Sequence, residues 1–471
     1  MLITLLFALL MGNVGSFYVG SASFANAADA GFEEWILKQR AISTQRLLQN
    51  IHPQDARPGV VIASPSRENP DYYFHWVRDA ALTMDTVADF YDDASGDQKQ
   101  PYLDLLLDFA GLSRENQLTP TLSGLGEPKF YVDGRAFDGP WGRPQNDGPA
   151  LRALTLIRTA DRLLALGRRD QVAKYLYDGR LPTQSVIKTD LEFVAHHWSD
   201  PCFDLWEEVK GDHYYTRLVQ LTALRSGARL AYDMNDRGAA SFYDQQAQRV
   251  EASLSEFWQA EKGFLGATLR RVEGVDYKSS NLDLSVVLAH LHVKQEGADS
   301  RVLATAAEIE RSFRPLYSVN SRVLESRPIP GFAIGRYPED RYYDGNPWVL
   351  TTLGLAELYY RTAAHWLQRG TIPIDETSLP FFHRLGFSQL TADMKIAAGN
   401  PLFIRVLEQM ETRADDFIRR VRVHANPDGS LSEQIHRESG FMESARDLTW
   451  SHASFLTATR ARAQYLTRKN R

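Results

Sequence analysis

Apolar residues recur at three- and four-residue spacing over most of the chain, which is the pattern of helices with one buried face. About a dozen stretches show it, separated by loops rich in glycine, proline and charge. The longer predicted helices cover 32–50, 80–90, 102–112, 145–166, 186–198, 215–232, 240–258, 281–292, 303–313, 349–369 and 402–422, and a last one starts near 447. The alternating pattern of strands occurs only in short pieces such as 59–62. The chain is therefore predicted to be all-α.

The loops between these helices share one organisation. Six blocks rich in aromatic residues, glycine and charge recur, with helices between them. They lie at 71–79, 126–147, 203–211, 275–283, 335–348 and 429–450. Six helical hairpins closed into a ring would give this order, with the blocks gathered at one end around a common pocket. No linker rich in Ser, Thr or Pro marks a second domain, so we expect residues 28–471 to form a single domain.

The N-terminal segment differs in composition from the rest of the chain. Residues 1–14 are almost wholly apolar, and small residues follow, ending in Ala25, Asn26 and Ala27, as at a signal-peptide cleavage site. The apolar run is short for a membrane span. We expect residues 1–27 to be a signal peptide and the mature chain to be exported to a periplasm or the exterior, with no stable membrane association.

One short stretch, 204–209, concentrates candidate chemistry. Glu207 and Glu208 are adjacent there and follow Leu205 and Trp206. Adjacent carboxylates repel, and apolar neighbours disfavour the ionised form of one of them, which is how a carboxyl group is kept protonated to act as a general acid. The alternative is a solvated glutamate pair at a helix start, where the helix dipole favours negative charge.

Five of the nine tryptophans lie in the six blocks, beside charged or amide side chains rather than apolar ones. They are Trp76, Trp141, Trp206, Trp348 and Trp450. An aromatic face next to Asp, Arg and Asn suits a sugar, because the ring covers C–H groups while the polar side chains bind hydroxyls. Each tryptophan singly would also fit core packing with a satisfied N–H group. Together, in polar loops, they favour a carbohydrate pocket.

Glycoside hydrolysis normally needs two carboxyl groups, an acid and a base or nucleophile. One comes from the pair Glu207 and Glu208. The best second candidate is Glu433, which lies among serines beside Gln434, in a polar setting expected to keep it ionised. A glutamate in a surface loop is the alternative reading of this position.

Composition and motifs disfavour other functions. The chain of 471 residues has a net charge of -6 and no long basic run, so nucleic acid is not an expected partner. It has one cysteine, Cys202, and no H-E-x-x-H motif, so we expect no metal site. Gly124 and Gly126 lack the strand–loop–helix context of a nucleotide fingerprint, and no G-x-S-x-G elbow occurs. We expect no cofactor.

Five runs of sequence follow one another along nearly the whole mature chain. They are NPDYYFHWVRDAAL (69–82), GEPKFYVDGRAFDGPWGRPQNDGPALRA (126–153), DLWEEVKGDHYYT (204–216), GRYPEDRYYDGNPW (335–348) and SEQIHRESGFMESARDLTWSHA (432–453). In these runs the chain resembles the glucoamylases of glycoside hydrolase family 15. The resemblance implies an (α/α)6 barrel, which agrees with the ring of six hairpins. It also implies exo-acting, inverting hydrolysis of terminal α-1,4-linked glucose from starch, glycogen or malto-oligosaccharides, releasing β-D-glucose.

The resemblance assigns roles residue by residue. Glu207 matches the general acid and Glu433 the general base, whose carboxyl groups should stand roughly 6.5–9.5 Å apart for inversion. Arg78 and Asp79 match the pair that grips the terminal glucose. The other matches to residues of the substrate pocket are Tyr72, Trp76, Trp141, Leu205, Trp206, Glu208, Arg336, Tyr342 and Trp450.

The sequence also departs from the family pattern near the pocket. Pro140 stands where a small or hydroxyl residue is common, Phe137 where a tyrosine is common, and Asp344 where asparagine is usual. We expect no starch-binding domain after the barrel, and a monomer. An α-glucosidase for isomalto-oligosaccharides or trehalose is one alternative function. A non-catalytic glucan-binding protein is another, although binding alone does not need a matched acid and base.

Overall fold

The computed structural model describes residues 27–324, 327–328 and 330–471. Residues 1–26 of the predicted signal peptide lie outside the described residues. Within the described ranges the chain forms fourteen α-helices. They are α1 Ala27–Gln49, α2 Val77–Asp93, α3 Gln100–Leu118, α4 Asp147–Ala165, α5 Arg169–Tyr175, α6 Val186–His197, α7 Tyr214–Asp233, α8 Arg237–Leu254, α9 Ser285–His292, α10 Ser300–Phe313, α11 Val349–Arg369, α12 Leu379–Arg384, α13 Pro401–His424 and α14 Thr449–Lys469.

Six of these helices form a closed inner ring. Helix α2 packs against α4, α4 against α7, α7 against α9, α9 against α11, α11 against α14, and α14 closes the ring on α2. Helices α1, α3, α6, α8, α10 and α13 alternate with them along the chain and cover the ring from outside. The chain is therefore an (α/α)6 barrel, and the predicted fold class is confirmed.

The sequence pattern explains which helices lie inside. The first eight residues of α11 are all buried, as an inner helix with neighbours on several sides requires. It ends at Gly370, which adopts the left-handed conformation (φ 66°) that closes many helices. Outer helix α13 is buried on one face only, where Phe403, Val406 and Met410 lie, while Arg405 is exposed. Each fully buried apolar side chain stabilises the barrel by ~1.5–3 kcal/mol.

The strands of the described residues are short and lie in the loops. They are β1 His75–Trp76, β2 Lys129–Phe130, β3 Cys202–Phe203, β4 Val209–His213, β5 Trp258–Gln259, β6 Phe264–Leu265, β7 Thr268–Gly274, β8 Val323–Leu324, β9 Arg327–Pro328, β10 Thr371–Ile374, β11 Met394–Ala397, β12 Gln434–Ile435 and β13 Met442–Glu443. All pair in antiparallel fashion, and β3, β4 and β7 form one three-stranded sheet. In the predicted strand 59–62, only Val61 makes an isolated bridge, to Ile51.

The sheet corrects the expected setting of the two adjacent glutamates. Residues 204–208 connect β3 to β4, so Glu207 and Glu208 lie in the turn of a β-hairpin and not at a helix start. Glu207 adopts a positive φ of 66°, which is uncommon for a residue with a side chain and fits a tight turn. The alternative of a solvated pair at a helix N-terminus is therefore wrong.

All six connections from an outer to an inner helix lie at the same end of the ring. They span 50–76, 119–146, 198–213, 255–284, 314–348 and 425–448. They carry most of each of the six predicted aromatic and charged blocks, which are thereby gathered at the N-terminal ends of the inner helices. No helix of the described residues combines the length and apolar character needed to cross a bilayer.

Candidate active site

Five of the six long connections, together with the first turns of α2 and α14, line a cavity of about 490 Å³. All thirteen residues singled out from the sequence line it: Tyr72, Trp76, Arg78, Asp79, Trp141, Leu205, Trp206, Glu207, Glu208, Arg336, Tyr342, Glu433 and Trp450. Trp348, one of the five tryptophans expected in a carbohydrate pocket, lines it too, and so do Asp71 and Leu448, which were not among the predicted site residues. Their positions inside the aromatic blocks are the signal that could have found them.

Four N–H donors converge on Glu207. Its Oε1 atom accepts hydrogen bonds from Trp76 Nε1 (2.9 Å), Gln145 Nε2 (2.9 Å) and Arg78 Nη2 (3.3 Å). Its Oε2 atom accepts one from Trp141 Nε1 (2.9 Å). The surroundings of Glu207 are therefore polar and not the apolar ones that its sequence neighbours suggested.

Glu208 is fixed by a different pair of groups. Arg336 Nη2 donates to Oε1 (2.7 Å), and the Tyr337 hydroxyl donates to Oε2 (2.6 Å). Asp340 in turn holds the guanidinium of Arg336 through two hydrogen bonds of 2.7 and 2.6 Å. Burial raises the pKa of Glu208, although Arg336 opposes it. Both oxygens of Glu208 are thus restrained before any substrate binds.

Glu433 lies on the segment leading into β12 and is only 2% exposed. Ser444 Oγ (2.6 Å) and Gln434 Nε2 (2.9 Å) both donate to its Oε2 atom. Burial raises its pKa to about 7, against the effect of these donors and of Arg336. The alternative of a surface glutamate is wrong. A polar setting alone predicts an ionised Glu433. The loop that carries Glu433 is buried, however, and burial favours the protonated form.

Arg78 and Asp79 lie in the first turn of α2. Arg78 Nη1 donates to Gln145 Oε1 (2.8 Å) and Asp147 Oδ2 (3.2 Å), and its Nε atom is 3.6 Å from Asp79 Oδ2. Burial raises the pKa of Asp79 to about 6, while Arg78 opposes it. The two residues form an ion pair and line the cavity together.

Aromatic rings form the walls of the cavity. Trp206 packs edge-on against Trp348 (5.6 Å between ring centroids) and stacks on Trp450 (6.3 Å). The ring of Tyr342 lies 6.2 Å from that of Trp348, and the hydroxyls of Tyr342 and Tyr72 are 3.0 Å apart. The Trp206 N–H donates to Asp283 Oδ1 (2.9 Å), which fixes the ring plane. Such faces, alternating with charged groups, suit a sugar.

A buried charge triad holds the hairpin turn that carries Glu207. Lys278 Nζ lies 3.0 Å from Asp204 Oδ2 and 2.6 Å from Asp283 Oδ2. Asp204 Oδ1 accepts from the backbone N–H groups of Glu208 (2.8 Å) and Val209 (3.1 Å). Burial opposes ionisation of Asp204, yet Lys278 and these donors lower its pKa to about 2. The triad therefore ties the turn to the loop before α9.

The side chains of the cavity are carboxylates, guanidinium groups, hydroxyls and indoles. Across the described residues, no group of three or more His, Cys, Asp or Glu side chains could hold a metal ion. Acid and base chemistry on a neutral polyhydroxylated ligand fits this set of groups best.

The barrel and its carboxylate-lined, tryptophan-walled cavity define a carbohydrate-active enzyme of the (α/α)6 class. The model of the family "Glycosyl hydrolases family 15" matches residues 41–460. The chain belongs to this family and is a glycoside hydrolase of the glucoamylase type.

Named relatives agree with this membership. The chain is 41% identical over 452 residues to a glucoamylase of Blastobotrys adeninivorans, covering 92% of this chain and 72% of the relative. Among solved structures, it matches the family 15 glucoamylase of Hypocrea jecorina with a TM-score of 0.84 and 32% identity, covering 92% of this chain and 72% of that one. It also matches the glucoamylase of Saccharomycopsis fibuligera with a TM-score of 0.82 and 31% identity, covering 96% and 99%.

Proposed function

We propose that this enzyme releases single glucose units from the non-reducing ends of α-1,4-glucans with inversion, using Glu207 as general acid and Glu433 as general base. The observation that carries the proposal is that both carboxyl groups line one cavity whose lining also includes the Arg78–Asp79 pair and Trp450. The substrate class comes from the relatives, which are named glucoamylases.

The chemical step follows from this assignment. Glu433 removes a proton from a water molecule as its oxygen bonds to the anomeric carbon, and the glycosidic C–O bond breaks. Glu207 gives its proton to the departing oxygen. Because the water attacks from the side opposite the breaking bond, the new hydroxyl lies on the opposite face of the sugar ring. Three donors occupy Oε1 of Glu207 and one occupies Oε2. We therefore assign Oε2 as the oxygen that carries and delivers the proton.

One observation favours the reverse roles. The pKa of Glu433 is raised to about 7 by burial, which suits an acid, while the four donors on Glu207 suit a base. We retain Glu207 as the acid because it matches the general acid in the family motif. Hydrolysis of glucosyl fluoride by variants of both glutamates distinguishes the two assignments.

Glucosyl fluoride separates the two roles, because fluoride leaves without needing much help from an acid. With α-D-glucosyl fluoride, Glu207→Gln should keep most of its activity, whereas on maltose its kcat should fall by about 10²–10⁴-fold. Glu433→Ala should lose both activities, and azide should restore turnover to β-glucosyl azide. Proton NMR of the wild-type reaction should show β-glucose first.

Three results would contradict parts of the proposal. Loss of fluoride hydrolysis in Glu207→Gln together with its retention in Glu433→Gln would exchange the two roles. α-Glucose as the first product would exclude inversion. Binding of maltoheptaose without any turnover would indicate a non-catalytic glucan-binding protein. A panel of maltose, maltoheptaose, isomaltose and trehalose decides between the α-1,4 preference and the alternative linkages.

A further inference from the structure

Lys129 lies in a box of four aromatic rings beside the cavity wall. Its Nζ atom is 3.3 Å from a ring centroid of Trp141, 4.0 Å from Phe137, 4.4 Å from Trp76 and 4.5 Å from Phe74. The side chain is 2% exposed. An ammonium group held over aromatic faces and shielded from water is strongly attracted by their electron-rich centres. The four rings and the cation therefore restrain one another.

Two rings of this box are the ones that donate to Glu207. Trp76 Nε1 donates to Oε1 and Trp141 Nε1 to Oε2, each at 2.9 Å. In the β1–β2 pair, Lys129 lies directly opposite Trp76, so the backbone fixes the lysine relative to this first indole. Trp141 lies in an irregular loop and is 38% exposed, so it has fewer restraints of its own.

We propose that Lys129 is a positioning residue for the reaction: its ammonium holds both indoles so that their N–H groups meet the two oxygens of Glu207. The inference rests on the proposed role of Glu207 as the acid.

Four charged side chains act on the ammonium group of Lys129 in this box. Burial lowers the pKa of Lys129 to about 8; Glu207, Asp71 and Glu127 oppose this effect, and Arg143 reinforces it. On the other side of Glu207, Arg78 approaches Oε1. Since Arg78 is unchanged by a substitution of Lys129, a change in the pH profile would report on the lysine.

The test is Lys129→Met, which keeps a long apolar side chain in the box and removes the charge. On maltose kcat should fall by about 10–100-fold, as expected when a reacting group is slightly misplaced, while KM stays within about twofold. The loss should be smaller on α-D-glucosyl fluoride, which needs little acid assistance. Burial lowers the pKa of Lys129 to about 8, and its deprotonation removes the same charge from the wild-type enzyme, so kcat/KM should fall as the pH rises through that value. Lys129→Met should lack this contribution to the alkaline limb, and in Lys129→Arg, whose guanidinium stays charged, the limb should move to higher pH.

Lys174→Met is the matched control, because Lys174 lies over the ring of Tyr175 (4.7 Å) far along the chain from the site and should behave as wild type. Thermal unfolding of each variant reports on folding, and Lys129→Arg remains informative if the Met variant does not fold. Equal losses on both substrates with an unchanged pH profile would mean a purely structural role and overturn the inference. Wild-type kinetics in Lys129→Met would do the same. The fluoride test of Glu207→Gln examines the acid assignment separately. Failure of that assignment can therefore be distinguished from failure of the role proposed for Lys129.

Discussion

The three glutamates of the cavity are held by different sets of donors. Four N–H groups reach Glu207, a guanidinium and a phenol reach Glu208, and a hydroxyl and an amide reach Glu433. Glu433 is the one whose pKa is raised to about 7 by burial. Since Ser444 Oγ donates to it at 2.6 Å, this hydroxyl strongly influences how readily Glu433 ionises.

Ser444→Ala should shift the acidic limb of the pH profile upward. Loss of the donor destabilises the carboxylate, so the pKa of Glu433 rises further above its ordinary value. A general base acts in its ionised form, so kcat/KM rises with pH through that pKa and the limb should move to higher pH. The measurement is kcat/KM on maltose as a function of pH. Ser253→Ala, whose hydroxyl bonds only Val250 O within helix α8, is the control. A limb that stays or moves to lower pH would exclude Glu433 as the base.

At the scale of elements, the β3–β4 hairpin places both adjacent glutamates in the cavity. Its turn is tied through Asp204 to Lys278, which also pairs with Asp283. All three charged groups are buried. Removing one member of such a set leaves the others without compensation, and this cost exceeds the net value of the intact pairs.

Lys278→Met should therefore destabilise the protein by about 3–5 kcal/mol, because two buried carboxylates lose their cation. Chemical denaturation monitored by tryptophan fluorescence measures the change. The exposed pair of Arg225 and Glu251 offers a matched comparison, since Arg225→Met should cost at most ~1 kcal/mol. Equal effects of the two substitutions would show that the triad is not a major contributor to stability.

Helix boundaries match the predicted ones where burial is continuous along the helix. They differ where the chain leaves the helix and pairs as a β-strand. Helix α11 has the bounds that its apolar run predicts, 349–369. The helix predicted over 240–258 instead ends at Leu254, and Trp258 enters β5 because it pairs with Leu265 of β6. The region 263–278 contains strand β7 because β4 is its partner. Strand β7 depends on a partner distant in sequence, which a local pattern does not contain, whereas β5 and β6 pair within a short hairpin.

At the scale of the whole molecule, the ring closes the cavity at its inner side. Trp450 stands at the start of inner helix α14 and lines both the large cavity and a much smaller one, of about 40 Å³, in the ring interior. It stacks on Trp206, and its ring centroid lies 5.5 Å from that of His292. A glucan chain can thus enter from the loop side and meets packed side chains at the barrel end.

Wild-type enzyme should accordingly release glucose singly from maltoheptaose. Chromatography of early time points should show glucose with maltohexaose, and shorter chains only as these are trimmed in turn. Asp79→Asn should slow this release without changing the pattern, because the chain end remains the only part that fits. Early maltotriose and maltotetraose, which arise from internal cuts, would contradict a closed pocket.

The sequence alone predicted the longer helices, their order and the six blocks, because apolar periodicity is a local property of the chain. All thirteen residues that its motifs identified line the cavity. The tertiary structure decided what surrounds each of them. Trp76 and Glu207 are 131 residues apart, and their hydrogen bond exists only because the ring closes. Burial of Glu433, the aromatic box of Lys129 and the Lys278 triad likewise arise from contacts between separate loops, and the free energy of each charge depends on those contacts.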